Sequence, residues 1–258
     1  MPYAVMQKGL EPPTIAQLKN AFSRVPNLTA FDANSLCKET FGMIVRNFKA
    51  DQALALQAGL KAEGIETEVV EESQLPLLPV AKTIRRIEFA PDALMIYDPL
   101  GQKFPVEWGH VLLIGAGCVR RASFQRTRSE WEVATTVLIQ GVIPVTVRDT
   151  KVEFSSRESA GWVLRAEIVL TRAMVRYSIE AEEFSFACLG ERGTRDLAAN
   201  FCLLLKELMK FAPHAVLNRG ATSIGAGSPG FVSYPHATVF HQELTWLLWQ
   251  MARQRAVE

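Results

Sequence analysis

The chain has 258 residues, 48% of them apolar and 21% charged, with a formal net charge of +1. Those values are ordinary for a globular protein and exclude a global field that would draw it to nucleic acid or to an anionic membrane. The balance is flat by segment as well, at −2 over residues 1–81, +2 over 82–215 and +1 over 216–258.

Four cysteines, Cys37, Cys118, Cys188 and Cys202, are widely spaced in apolar surroundings without a CxxC pair. That usage points to reduced, buried thiols. The opening MPYAVMQKGLEPP lacks the apolar stretch of a signal peptide. No run of about 18 uncharged apolar residues follows anywhere. The expectation is a cytoplasmic chain without integral membrane association.

Residues 3–7 (YAVMQ) read as a short strand. Pro12–Pro13 break the chain, and Thr14 can cap a helix through Val25 with Ile15, Leu18 and Phe22 inward. Residues 28–40 fit either a short strand or a helix. Phe41 to Phe48 reads as a strand. Asp51 to Glu63 reads as a helix carrying Leu54, Leu56, Ala58 and Leu60, stopped by Gly64. Ile65 to Val70 is a further strand, so strands alternate with helices as in a small α/β sandwich. The stretch LQAGLKAEGIETEVVEES, Leu56 to Ser73, resembles the helix–Gly–strand ending of ferredoxin-like folds and of the ribosomal-stalk and protease-adaptor small α/β folds. The resemblance implies a fold and transfers no functional residue.

SQLPLLPVAK, residues 73–82, is confined by Pro76 and Pro79 and marks a domain boundary. From Thr83 short apolar runs dominate, separated by turn signals at Pro91–Asp92, Asp98–Pro99 and Gly101. Residues 162–188 alternate with period two: Leu164, Ala166, Ile168 and Leu170 oppose Arg165, Glu167 and Thr171. That pattern predicts antiparallel strands with one buried face. Thr194 to Phe211 then reads as an amphipathic helix, with Leu197, Phe201, Leu204, Leu205 and Leu208 on one stripe and Thr194 as cap. This succession, carried by FPVEWGHVLLIGAG (Phe104 to Gly117) and the helix from Thr194, resembles a bacterial pleckstrin-homology-like domain over roughly residues 82–212. The resemblance implies an antiparallel barrel closed by a helix, of a kind that mostly binds lipids, peptides or proteins and is rarely catalytic.

NRGATSIGAGSPG, residues 218–230, reads as a flexible connection. A last amphipathic helix runs from about His236 to Arg255. Phe240, Leu244 and Leu247 share its apolar face, and Trp246 and Trp249 flank it. That face packs either on its own sheet or on a second copy of the chain, which makes these five residues the candidate partner-binding set.

The chemical motifs are thin. Gly115-x-Gly117 after an apolar run is half a dinucleotide fingerprint, but position 120 is Arg120. Gly225-Ala-Gly227-Ser-Pro-Gly230 matches GxGxxG as a string, with Pro229 intruding and no strand before it. Arg120, Arg121, Arg126 and Arg128 crowd nine residues and form a candidate anion site on a loop, to be weighed against an ordinary solvated loop. His236 and His241, five apart, do not share a helix face, and there is no HExxH. Glu71–Glu72 and Glu182–Glu183 are adjacent and point apart.

The sequence therefore predicts an α+β fold. It comprises a small α/β domain over 1–75, a linker over 76–82, a pleckstrin-homology-like β domain over 83–215 and a helical tail over 216–258. It predicts no catalytic residue, metal or cofactor. The function expected is non-catalytic binding or scaffolding of a protein or peptide partner. The alternatives are an enzyme site at a domain interface and lipid or phosphate recognition by the arginines. Nucleic acid is not expected as a partner; a protein partner or a second copy of the chain is, with the C-terminal helix either joining two copies or packing within the protein.

Overall fold

A computed structural model describes residues 1–9, 11–26, 28, 34, 41–98, 100–139, 143–171 and 175–257. Side chains are described for all of these except 122–139, 143–160 and 255–257. The ambiguous stretch 28–40 and Cys37 thus fall almost wholly outside the described residues. The chain divides into two compact units, residues 1–120 with 163–258, and residues 121–162.

The first unit begins with β1 (Tyr3–Gln7), α1 (Ile15–Phe22), β2 (Met43–Phe48), α2 (Ala50–Ala62) and β3 (Thr67–Glu71). The strands form one antiparallel sheet in the order β2-β1-β3. Thr14 caps α1 as expected, and the structure adds a capping box with Gln17. Helix α2 presents Ala53, Leu56, Gly59 and Leu60 inward, whereas Leu54 and Ala58 face solvent. The helical period selects positions 53, 56 and 60, and Gly59 lets α2 lie against the Ala21 backbone. Gly64, at φ +80°, ends the helix.

Short strands follow: β4 (Ala81–Thr83), β5 (Ile87–Phe89), β6 (Ala93–Tyr97) and β7 (Lys103–Glu107). Then come two very long ones, β8 (Val111–Ile139) and β9 (Ile143–Leu170), and β10 (Arg176–Glu180). Helix α3 (Leu197–Phe211), β11 (Val216–Leu217), α4 (Arg219–Gly225), β12 (Ser233–Tyr234) and α5 (Ala237–Val257) complete the chain. The largest sheet runs β11-β8-β9-β10-β4, with β12 also on β8, while β5-β6-β7 form a separate antiparallel sheet. Both sheets are open, so the closed barrel expected over 83–215 is corrected. β4 pairs β10 in parallel, and β11 and β12 pair β8 in parallel, which terminates the large sheet in short strands.

The expected one-sided burial of 162–170 is also corrected. Ala166, Ile168 and Leu170 pack in a cluster with Phe201, Leu204, Leu205 and Leu208 of α3. On the opposite face Val169 packs with Phe240, Leu244 and Trp246 of α5, and Glu167 is only 1% exposed. Within the first unit the large sheet is thus covered on both faces at these positions, as a central layer must be. α3 follows the predicted stripe, except that Leu197 at its first turn is partly exposed. Asp196, rather than Thr194, is its N-cap, accepting from the Ala198 N–H.

The domain boundary at 76–82 does not separate two cores. Ala4, Met6, Phe41, Met43, Val70 and Leu75 share one apolar cluster with Leu113, Val169, Tyr234 and α5. The other face of the small sheet packs Val5, Ile44 and Val45 on α1 and α2. The flexible connection expected over 218–230 is corrected too. Asn218 is buried and caps α4, which is a regular helix across residues 219–225.

The second unit comprises the remaining lengths of β8 and β9 on either side of residues 140–142, and the two strands are hydrogen-bonded neighbours.

Candidate functional site

Gln7 ends β1 and Thr67 begins β3, and the two are direct partners across the antiparallel pair. Period-two alternation places Gln7 on the same face as Val5, which packs against α1 and α2. Gln7 is 2% exposed and Thr67 7%. The Gln7 Nε2 donates to the Glu11 carbonyl oxygen, yet Gln7 Oε1 and Thr67 Oγ1 have no hydrogen-bond partner among the described residues. Buried oxygens left so are costly, about 1–3 kcal/mol each, and are rarely retained without a use.

Each of these residues lines a groove. The first, about 400 Å³, runs from Gln7 past the Pro12–Pro13 break to Gln17 and Ile65. The second, about 480 Å³, runs along α2 past Leu54, Gln57 and Lys61 to Thr67. Lys8 and Glu66 line both, so the grooves adjoin. Their walls are fixed by side-chain to main-chain bonds. Gln17 Nε2 donates to the Glu63 carbonyl at 2.9 Å, and Gln57 Nε2 to the Thr67 carbonyl at 2.9 Å. The rim carries both signs of charge, Lys8 and Lys61 against Glu11 and Glu66. Gln7 lines the first groove and Thr67 the second, and the buried acceptor and buried hydroxyl they carry are the chemical complement of an amide N–H and C=O.

Two buried ionic clusters lie elsewhere in this unit. Glu167 Oε2 accepts from Arg176 Nη1 at 2.7 Å, and Glu167 Oε1 meets His241 Nε2 at 2.9 Å. Glu243, also 1% exposed, accepts from the Arg219 N–H at 2.8 Å, from Arg219 Nε at 3.1 Å and from the Tyr234 hydroxyl at 2.9 Å. Asn218 Nδ2 donates to that hydroxyl at 3.0 Å and to the Ala116 carbonyl at 3.0 Å. Burial and the Glu243 charge push the Tyr234 hydroxyl far above its ordinary range, so it stays a donor. These clusters bind α5 to the large sheet and satisfy nearly every group in them, which is the pattern of a structural staple.

The residues singled out from sequence fare differently. Phe240, Leu244, Trp246, Leu247 and Trp249 are all buried in the cluster between α5 and the two sheets. Of the two readings for this face, packing on the chain's own sheets is the one realised, and the expectation of a partner there is corrected. The four arginines lie on β8 and not on a loop. Arg120 belongs to the first unit, and Arg121, Arg126 and Arg128 to the second, where the side chains of Arg126 and Arg128 fall outside those described. Gly115 and Gly117 sit within β8 under α5 and Tyr234. A β-carbon would come 2.6 Å from Leu244 Cδ2 at Gly115 and 2.3 Å from Tyr234 Cε2 at Gly117. Close packing, and no phosphate, accounts for that pair. Gly225 is the last residue of α4, and Gly227 and Gly230 follow its end. Among the described residues no group of three His, Cys, Asp or Glu is placed to hold a metal. No helix among them is long and apolar enough to cross a membrane.

Gln7 and Thr67 were not marked by any motif. The readable signal was a polar residue in register with the inward face of YAVMQ. No protein-family model, curated protein or solved structure matches the chain.

Proposed function

We propose that the chain is a non-catalytic binding protein that takes an extended segment of a peptide or protein partner into the adjoining grooves beside β1, β3 and α2. The observation that carries this reading is the cross-strand pair of unpartnered oxygens, Gln7 Oε1 and Thr67 Oγ1. A main-chain amide supplies one donor and one acceptor, the complement of that pair. Mixed rim charge suits a polar peptide better than a polyanion. The β–α–β–α–β order of the described residues between 3 and 71 supports reading this part as the small α/β fold it resembles.

A specific contact also stands behind the enzyme alternative. Glu167 holds the His241 imidazole at 2.9 Å, as a carboxylate orients a general base. The same carboxylate serves Arg176, however, and the trio joins three packed elements, which favours a structural role. Anion recognition by Arg120, Arg121, Arg126 and Arg128 is the weaker alternative, because the four span two units along a strand.

Selection of displayed random peptides on the wild-type chain, counter-screened on Thr67→Val and Gln7→Met, tests the proposal. Enriched peptides bind the wild type at least about tenfold tighter than either variant, one lost buried hydrogen bond being worth about that much. Absence of enrichment, or equal binding to all three proteins, overturns it.

A further inference from the structure

Leu75-Pro76-Leu77-Leu78-Pro79-Val80 connects the small sheet to β4, and its burial repeats every three residues. Leu75 is buried in the cluster shared with α5, and Leu78, three residues on, packs against it. Pro76 and Pro79 are both half-buried. Leu77 and Val80 stand 86% and 90% exposed. A strand would alternate with period two and an α-helix with 3.6, so a period of three leaves a 3₁₀ or a polyproline helix. The backbone selects the second. Leu75 has φ −70° and ψ 141°, the polyproline values. Each proline fixes its own φ, and Leu78, like Leu75, is held extended by the proline after it. Among the described residues none hydrogen-bonds to the main chain of residues 76–79, and a polyproline helix needs no such bond.

Both ends of the segment are anchored. Glu72, in the turn before it, accepts from Arg46 Nη2 at 3.0 Å, and Ala81, after it, pairs with Arg176 in the parallel β4–β10 ladder. The segment thus meets a partner already in its extended shape and loses little chain entropy on docking. Pro76–Leu77 and Pro79–Val80 form two like pairs, about 9 Å apart at a rise of ~3.1 Å per residue. A groove lined by aromatic rings takes such proline-spaced apolar pairs. Lys82 follows, exposed and without an ion-pair partner among the described residues. It gives the ridge one positive end, the complement of an acidic rim.

We infer that Leu75–Val80 is a preformed polyproline docking ridge, recognised through Pro76, Leu77, Pro79 and Val80 by a protein partner with an aromatic-lined groove and an acidic rim. The ridge uses neither Gln7 nor Thr67, so it stands or falls separately from the grooves there.

The test is binding of the full chain to an array of purified WW and other proline-recognition domains, with acidic and basic groove rims both represented. Acidic-rim domains bind the wild type saturably. Leu77→Glu/Val80→Glu removes the apolar contact and Pro76→Ala/Pro79→Ala frees the backbone, and each weakens binding at least about tenfold. Lys82→Glu weakens it at low salt, and the difference shrinks at high salt. Leu54→Glu, at an exposed apolar residue of α2, leaves it unchanged. Circular dichroism of every variant matches the wild type, so lost binding is not lost folding. Peptides selected on the grooves at Gln7 and Thr67 bind the ridge variants and the wild type alike. An array without a binder, proline variants that bind as the wild type does, a Lys82→Glu chain of unchanged affinity, or a Leu54→Glu chain as weak as Leu77→Glu/Val80→Glu each overturns the inference. So does a wild-type dimer in light scattering that Leu77→Glu/Val80→Glu splits, because a second copy then covers the ridge.

Discussion

The indole Nε1 of Trp246 donates to the backbone carbonyl oxygen of Gln7 at 2.7 Å, joining the last helix to the first strand. The same ring meets Phe41 edge-on at a centroid distance of 5.2 Å, and it lies where a β-carbon of Gly42 would be, within 2.4 Å of Cδ2. Trp246→Phe removes the donor and leaves the Gln7 carbonyl to Gln250 Nε2 alone at 3.0 Å. The expected loss is about 1–3 kcal/mol in urea unfolding. Because one core spans both ends of this unit, the fragment 1–75 made alone exposes Met6, Phe41, Met43 and Val70. It binds a hydrophobic dye instead of folding. A cooperative melt of that fragment would refute the shared core.

Thr67→Val replaces a buried hydroxyl that has no partner among the described residues by a methyl of nearly the same size. Stability therefore rises by about 1–3 kcal/mol, the cost of the orphaned group, while peptide affinity falls. A gain in stability with a loss of binding is the mark of a group kept for its ligand. Thermal melts of wild type and variant decide it, and destabilisation would mean the hydroxyl has a partner in the folded chain.

Gly220 opens α4 directly beneath β8, where a β-carbon would stand 1.8 Å from the Ala116 carbonyl oxygen. Both sides of that contact are main chain, so neither can swing away. Gly220→Ala costs about 3 kcal/mol or more, above the usual range for overpacking. It also displaces Asn218, whose Oδ1 accepts from the Ala116 N–H at 2.8 Å. Denaturant midpoints compared with Gly109→Ala, where a β-carbon would meet nothing within 4 Å, isolate the steric part.

Leu204→Ala costs about 2–5 kcal/mol, because this side chain is wholly buried against the sheet. Leu197→Ala, at the first residue of the same helix and partly exposed, costs a small fraction of that. Equal losses would contradict the observed facing of α3.

Burial pushes the Cys188 thiol up from its ordinary 9.0 to about 11. Below pH 9 both states hold the proton. Between pH 9 and about 11 the unfolded thiol ionises while the folded one does not, so the native state binds more protons and stability falls as pH rises. Urea titrations across that window show a steeper decline for the wild type than for Cys188→Ala. Parallel declines would show that this thiol carries none of the effect.

Local elements were legible wherever a single helix or strand explains its own pattern. The Thr14–Gln17 capping box, the stop at Gly64 and the α3 stripe are set by neighbours three or four residues away, which a linear reading can see. What escaped was every feature made by a second layer. Glu167 looked solvent-facing by alternation, but α5 covers it, with His241 and Arg176 satisfying its charge. Residues 218–225 looked like a linker by composition. The small residues there allow α4 to lie on β8, and Asn218 supplies the cap. The Gly115-x-Gly117 spacing likewise serves a helix packed from above. The candidate site escaped for the same reason, since Gln7 and Thr67 are sixty residues apart and meet only through strand pairing.

The shared cluster of β1, β2 and α5 bears on how the chain is made. Synthesis proceeds from the amino end, so Ala4 and Met6 leave the ribosome long before Phe240, Leu244 and Trp246 exist to cover them. The early sheet must wait, greasy on one side, until α5 has emerged to cover it.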